Sequence, residues 1–191
     1  MKRVRSVSKQ ALVLIDLQND YFPGGRLTLV GTEAAADNAA KLVAAFRAEK
    51  APVIHVRHES MEPNPTFFLP GTAGAEIHAK VKNQGDEPVI TKNQVNAFQQ
   101  TDLKRVLDEK GVTDLVIVGA MSHMCVDGVT RAAVDFGYGT TVIHDACATL
   151  DTEFNGVKVP AAQVHAAFMR GLADGYCAVK STDEFLSDRK G

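Results

Sequence analysis

Short apolar runs and amphipathic stretches alternate along most of the chain. ALVLIDL (11–17), PVIHVRH (52–58), EPVIT (87–91), DLVIVGA (114–120), TTVIHDA (140–146) and YCAVK (176–180) are rich in Val and Ile and read as six strands. Helical periodicity fills the intervals. Ala39, Leu42 and Phe46 share one face, as do Leu103, Val106 and Leu107, then Val126, Val129, Ala133 and Phe136, then Val164, Ala167, Phe168 and Leu172. The punctuation agrees with this reading: Thr101 or Asp102 caps one helix and Gly111 ends it, Pro160 suits a first turn with Gly175 beyond the last, and Thr182 caps a short final helix. Strands apolar on both faces and separated by helices imply a parallel sheet covered on both sides. The predicted fold is α/β, a three-layer α/β/α sandwich around a six-stranded, mainly parallel sheet. Two stretches, 59–86 and 147–159, lack periodicity, and loops of that length in a compact domain usually serve as lids or contact surfaces.

Composition narrows the classes of function. A chain of 191 residues, 45% of them hydrophobic, fits one domain over 1–191 with a sizeable core. With 21 basic and 23 acidic side chains the formal charge is -2, and neither sign forms a block, so the pattern favours neither nucleic acid nor a membrane as partner. A small molecule fits better. The opening MKRVRSVSKQ is basic, but the apolar run behind it is broken by Asp16 and is too short for a signal peptide or a span, so a cytoplasmic protein is expected. Cys125, Cys147 and Cys177 are three widely spaced cysteines, which argues against a disulfide framework and against paired zinc ligands. A reduced compartment leaves a thiol free to act as a nucleophile.

In open parallel sheets ligands bind beyond the carboxyl ends of the strands. Three reactive side chains are predicted there: Asp16 after the first strand, Lys92 after the third and Cys125 after the fourth. Taken singly, Asp16 reads as a turn residue, Lys92 as a solvated charge and Cys125 as a small core residue, the reading given to Cys177 and Cys147. Their coincidence at one edge supplies a thiol, a base and a positive charge. With Ser122 as N-cap, Cys125 falls in a first helical turn, where unpaired N–H groups stabilise a thiolate and later an oxyanion.

The motifs DLQNDYF after the first strand, the lysine ahead of NAFQQTDL, GAMSHMCV at a helix start and the later VIHDACAT resemble the isochorismatase-like cysteine hydrolases over about residues 10–180. The resemblance implies a Rossmann-like α/β/α fold and hydrolysis of a C–N bond in a small amide, carbamoyl or ureido compound through a Cys thioester. It also implies catalytic Asp16, Lys92 and Cys125, a cis peptide between Ala120 and Met121, and an oxyanion hole from the N–H groups of Met121 and Cys125. A dimer or larger homo-oligomer is implied as well.

Similar nicotinamidases hold a metal with an acidic residue two positions before a His after the second strand, plus a later His. Here the stretch is HVRHES: with His58 in the His place, Val56 stands at the acidic one and cannot ligate. His55 and His58 are three apart and point to opposite faces of a strand. A pair of His58 and His78 is the remaining candidate, and no bound metal and no cofactor are expected. Phe22, Phe98 and His123 are candidate substrate-binding walls, and Phe67 and Phe68 candidates to close over a ligand or enter an interface. His123 also offers a rival Cys–His pair, but two residues before Cys125 its ring reaches the thiol with difficulty and leaves Asp16 and Lys92 unexplained. Other readings are a nicotinamidase, a hydrolase of the isochorismate vinyl ether, and a non-catalytic or redox-sensing protein of the same fold.

Overall fold

The computed structural model of the protein describes residues 9–189. Its elements run β1 (Gln10–Ile15), α1 (Thr32–Ala48), β2 (Val53–His58), β3 (Val89–Lys92), α2 (Leu103–Glu109), β4 (Asp114–Ala120) and α3 (Asp127–Asp135). Then follow β5 (Gly139–Ala148), β6 (Thr152–Phe154), β7 (Val157–Val159), α4 (Ala161–Gly175), β8 (Ala178–Lys180) and α5 (Thr182–Asp188). All six expected strands pair in one sheet of order β3-β2-β1-β4-β5-β8, and every pairing is parallel. The chain winds outward from β1 to β3, then returns to lay β4 on the other side of β1. Strand order therefore reverses between β1 and β4, where open α/β sheets form a crevice.

Side-chain alternation along β1 builds two cores. Ala11, Val13 and Ile15 pack with Leu103 and Leu107 of α2, Val129 and Ala133 of α3, and Met169 and Leu172 of α4. Leu12 and Leu14 face the other way, onto Leu42, Val43 and Phe46 of α1 and Phe185 of α5. The period of two in a strand and the period near 3.6 in a helix thus fix three layers. A third cluster, with Tyr21, Phe68, Ala120 and Ala148, covers the carboxyl ends of the central strands.

Several local expectations are corrected. The stretch 147–159 is no simple loop: β6 and β7 form an antiparallel hairpin, with Asn155 and Gly156 at positive φ of 50° and 78°. Asn-Gly supports that geometry because both residues tolerate it. Phe136 lies 51% exposed instead of on the buried face of α3, and Met169 takes the place on α4 that was given to Ala167. The final helix is capped by Ser181, not Thr182: Ser181 accepts from the Glu184 N–H and the Glu184 carboxylate accepts from the Ser181 N–H. At α2, Asp102 occupies the N-cap position while the Thr101 hydroxyl accepts from the Leu103 N–H at 3.2 Å. Gly111, at φ 65°, ends it with N–H bonds from Gly111 to Asp108 and from Val112 to Leu107.

Candidate active site

Each reactive residue is placed by the end of a strand. β1 stops at Ile15, and Asp16 follows with φ 51°, a left-handed conformation that Asp tolerates better than most side chains. Lys92 is the last residue of β3, and its Cα pairs in register with that of His58 at the end of β2. After β4 the Ala120–Met121 peptide is cis, and Ser122–Val126 forms one π-helical turn that leads into α3. Met121, one residue ahead of the expected Ser122, occupies the cap position, and Cys125 lies inside the turn. The Met121 carbonyl accepts from the N–H groups of Met124 at 3.0 Å and Val126 at 3.2 Å. Just upstream, Gly119 has φ 123°, and a β-carbon there would stand 2.0 Å from the Ile15 carbonyl oxygen. Only glycine lets the ends of β1 and β4 approach so closely.

The three side chains meet in the crevice. Lys92 Nζ lies 2.8 Å from Asp16 Oδ2, 3.2 Å from Cys125 Sγ and 3.0 Å from His58 Nδ1. Asp16 and Lys92 are fully buried, and Cys125 is 7% exposed. Although the ammonium is within ion-pair distance of Asp16, neither carboxylate oxygen receives a well-aligned hydrogen bond from the described residues.

Burial pushes the Cys125 thiol up to about 12, the Asp16 carboxylate adds to the rise, and Lys92 opposes it. The resting group at neutral pH is a thiol. Burial alone would lower Lys92, but the charge of Asp16 and then the Cys125 sulfur outweigh it, and the amine is held above its ordinary value as an ammonium. His58 is held below its ordinary value by burial and then by Lys92, so it is neutral there. An ammonium can only donate, so His58 Nδ1 accepts and its proton sits on Nε2.

A cavity of about 470 Å³ opens over Cys125. Its polar side is Tyr21, His58, Ser60, Glu62, Asn93 and Gln94; its apolar side is Met61, Phe67, Val95, Met121 and Met124. The unpatterned stretch after β2 supplies Ser60, Met61, Glu62 and Phe67 to the lining, while Phe68 lies fully buried against Tyr21. Phe22, Phe98 and His123, the expected substrate-binding walls, do not line this cavity. Phe22 turns away to stack on His78 at 3.6 Å between centroids. Phe98 packs against Phe136 and Tyr138. His123 Nδ1 is paired with the Thr149 hydroxyl at 2.7 Å, and its ring contacts Phe168. The histidine that lines the cavity with Cys125 is His58, which strand register sets against Lys92.

The residues do not fit a nicotinamidase-like metal. Val56 is buried in the core, His55 meets Glu87 at 3.1 Å, His58 is bound to Lys92, and His78 is stacked on Phe22. Among the described residues no group of three or more His, Cys, Asp or Glu converges as a metal site requires. Nor is any described helix long and apolar enough to cross a membrane.

Two further residues of DLQND hold the segment after β2. Gln18 Nε2 donates to the carbonyls of His58 and Ala75, both at 2.8 Å, and its Oε1 accepts from the His58 N–H at 2.7 Å. Asp20 is buried and accepts from the N–H groups of Phe68 at 2.6 Å and Arg26 at 3.2 Å. Asp20→Ala is expected to orphan the buried Phe68 N–H, at about 1–3 kcal/mol. The denaturant midpoint should fall and KM should rise as the segment loosens; an unchanged midpoint and KM would deny Asp20 this role.

The fold and this geometry have counterparts among known proteins. A family model described as the isochorismatase domain matches residues 10–182. An uncharacterised isochorismatase family protein, YddQ, of Bacillus subtilis is 48% identical over 92% of this chain and 98% of its own. Streptothricin hydrolase of Streptomyces noursei is 33% identical over 74% of this chain and 50% of its own. The crystal structure of an isochorismatase hydrolase candidate from Oleispira antarctica superposes with a TM-score of 0.91 at 57% identity, covering 95% of this chain and 98% of that one. The chain belongs to the isochorismatase family of hydrolases.

Proposed function

We propose that the protein hydrolyses a C–N bond of a small amide, carbamoyl or ureido compound through a thioester on Cys125. The observation that carries this reading is the buried contact of Asp16, Lys92 and Cys125 on the floor of the cavity. A thiol held near 12 is a poor nucleophile at neutral pH, so it needs a base at the moment of attack. Asp16 takes the thiol proton as Sγ bonds to the substrate carbonyl carbon, and the N–H groups of Met121 and Cys125 hold the developing oxyanion. The carboxyl of Asp16 then gives its proton to the departing nitrogen as the C–N bond breaks. Water, deprotonated by the same carboxylate, attacks the thioester, and the thiolate leaves with the proton returned. Lys92 keeps the carboxylate oriented and offsets negative charge at sulfur. Similarity to a streptothricin hydrolase supports a hydrolytic role.

The test is a panel of small amides, ureides and carbamoyl compounds assayed for released ammonia or amine. At least one class is expected to be turned over by the wild type and none by Cys125→Ala. Equal hydrolysis by both proteins would overturn the proposal.

A further inference from the structure

The cavity has an uneven charge. Among its described lining side chains Glu62 is the one carboxylate, and neither Lys nor Arg is among them. The ammonium of Lys92 lies beneath the floor, fully buried and shared between Asp16, Cys125 and His58, so it has no free face for a ligand. Arg57, on β2, is held by Glu59 at 2.8 Å and Glu76 at 3.6 Å. His58, the remaining basic lining residue, is kept neutral, and Glu62 is close enough for its charge to be felt there. Asn93, Gln94, Ser60 and Tyr21 add neutral dipoles. A substrate carboxylate would meet no cation among the described lining residues and would be repelled by Glu62, whereas a cation would find a carboxylate. It would also find the half-buried ring of Phe67, whereas Tyr21 is buried against Phe67 and Phe68.

Resting on the amide-hydrolase reading of the same site, we propose that the cavity selects amides whose non-reacting end is an ammonium or guanidinium and rejects those bearing a carboxylate. Glu62 and the ring of Phe67 are the recognising groups. Carboxylate-bearing ureides and the vinyl ether dicarboxylate isochorismate are thereby disfavoured as substrates.

Two arms test this. In the first, Cys125 is modified with methanethiosulfonates carrying a trimethylammonium, a sulfonate or a neutral methyl group, and site-resolved rates are divided by those on a small free thiol. The cation-to-anion ratio is expected to exceed the free-thiol ratio about tenfold at low salt, and to shrink in Glu62→Gln and as salt rises. In the second, kcat/KM is measured for three amides of matched length: β-alaninamide, butanamide and succinamate. The expected order is cationic, neutral, anionic, with Glu62→Gln narrowing the span. A normalised modification ratio at or below that of the free thiol, or succinamate as the best substrate, overturns the charge assignment. A cationic preference in modification with none of a broad amide panel hydrolysed would support the charge assignment and overturn the amide-hydrolase reading.

Discussion

Cys125→Ala is expected to lower turnover of any substrate by at least about 10⁴-fold, because removal of a nucleophile leaves only binding and oxyanion stabilisation. The fold should survive the change. The sulfur contributes little area to the core, and Lys92 keeps Asp16 and His58 as partners when its 3.2 Å contact to Cys125 is lost. Circular dichroism and the denaturant midpoint should stay close to wild type. Cys125→Ser tests the same point from the other side: its hydroxyl fits the space but ionises far less readily, so activity should remain lost. Substantial hydrolysis by either variant would place the chemistry elsewhere.

Asp16→Asn is expected to separate two properties that usually move together. Hydrolysis should fall by about 10²- to 10⁴-fold, because the amide cannot accept the thiol proton or return one to the leaving nitrogen. Reactivity of Cys125 toward iodoacetamide should instead rise by about tenfold or more near pH 8. The sign follows from the charges. Burial first and the Asp16 carboxylate second hold the thiol up at about 12, while Lys92 opposes them. Deleting the carboxylate charge leaves the buried ammonium facing the sulfur at 3.2 Å, and this favours the thiolate. In the wild type, alkylation should climb steadily from pH 7 to 10 without a plateau, since the thiolate fraction is still growing across that window. In Asp16→Asn the same curve should shift to lower pH. Parallel loss of hydrolysis and alkylation would indicate a collapsed site instead of a missing base, and a folded-state check by circular dichroism separates the two. His123→Ala, by contrast, touches Thr149 and Phe168 and is expected to leave the pH dependence of Cys125 alkylation in place.

The main architecture was legible because each strand and helix carries its own period. Ala11, Val13 and Ile15 against Leu12 and Leu14 divide the two cores as alternation requires. Asp16, Lys92 and Cys125 were legible as a group because parallel strands deliver their carboxyl ends to one edge, whatever the details of the loops. The walls of the cavity were not. Phe22 was expected there, but a 3-10 turn at Asn19–Tyr21 puts Tyr21 on the cavity and Phe22 on His78. Phe98 was misplaced because the Asn96 side chain accepts its N–H at 3.0 Å and the turn carries the ring into the core beside Tyr138. Gln18 and Asp20 gave no signal of their own, since the partners His58, Ala75 and Phe68 lie about 40 or more residues away, at the end of β2 and in the unpatterned segment after it. Two features were readable and missed. Asn155-Gly156 between β-branched and aromatic residues is a hairpin signal, and Ser181 followed three places later by Glu184 is a capping box.

Intact mass spectrometry of the wild-type enzyme, quenched in acid during turnover of an active amide, tests the central claim most directly. The account predicts an adduct of the substrate's acyl mass on Cys125, released by hydroxylamine, absent in Cys125→Ala, and formed more slowly in Asp16→Asn. Turnover with no adduct on Cys125 under conditions where deacylation is slowed, or an adduct on another residue, would contradict it.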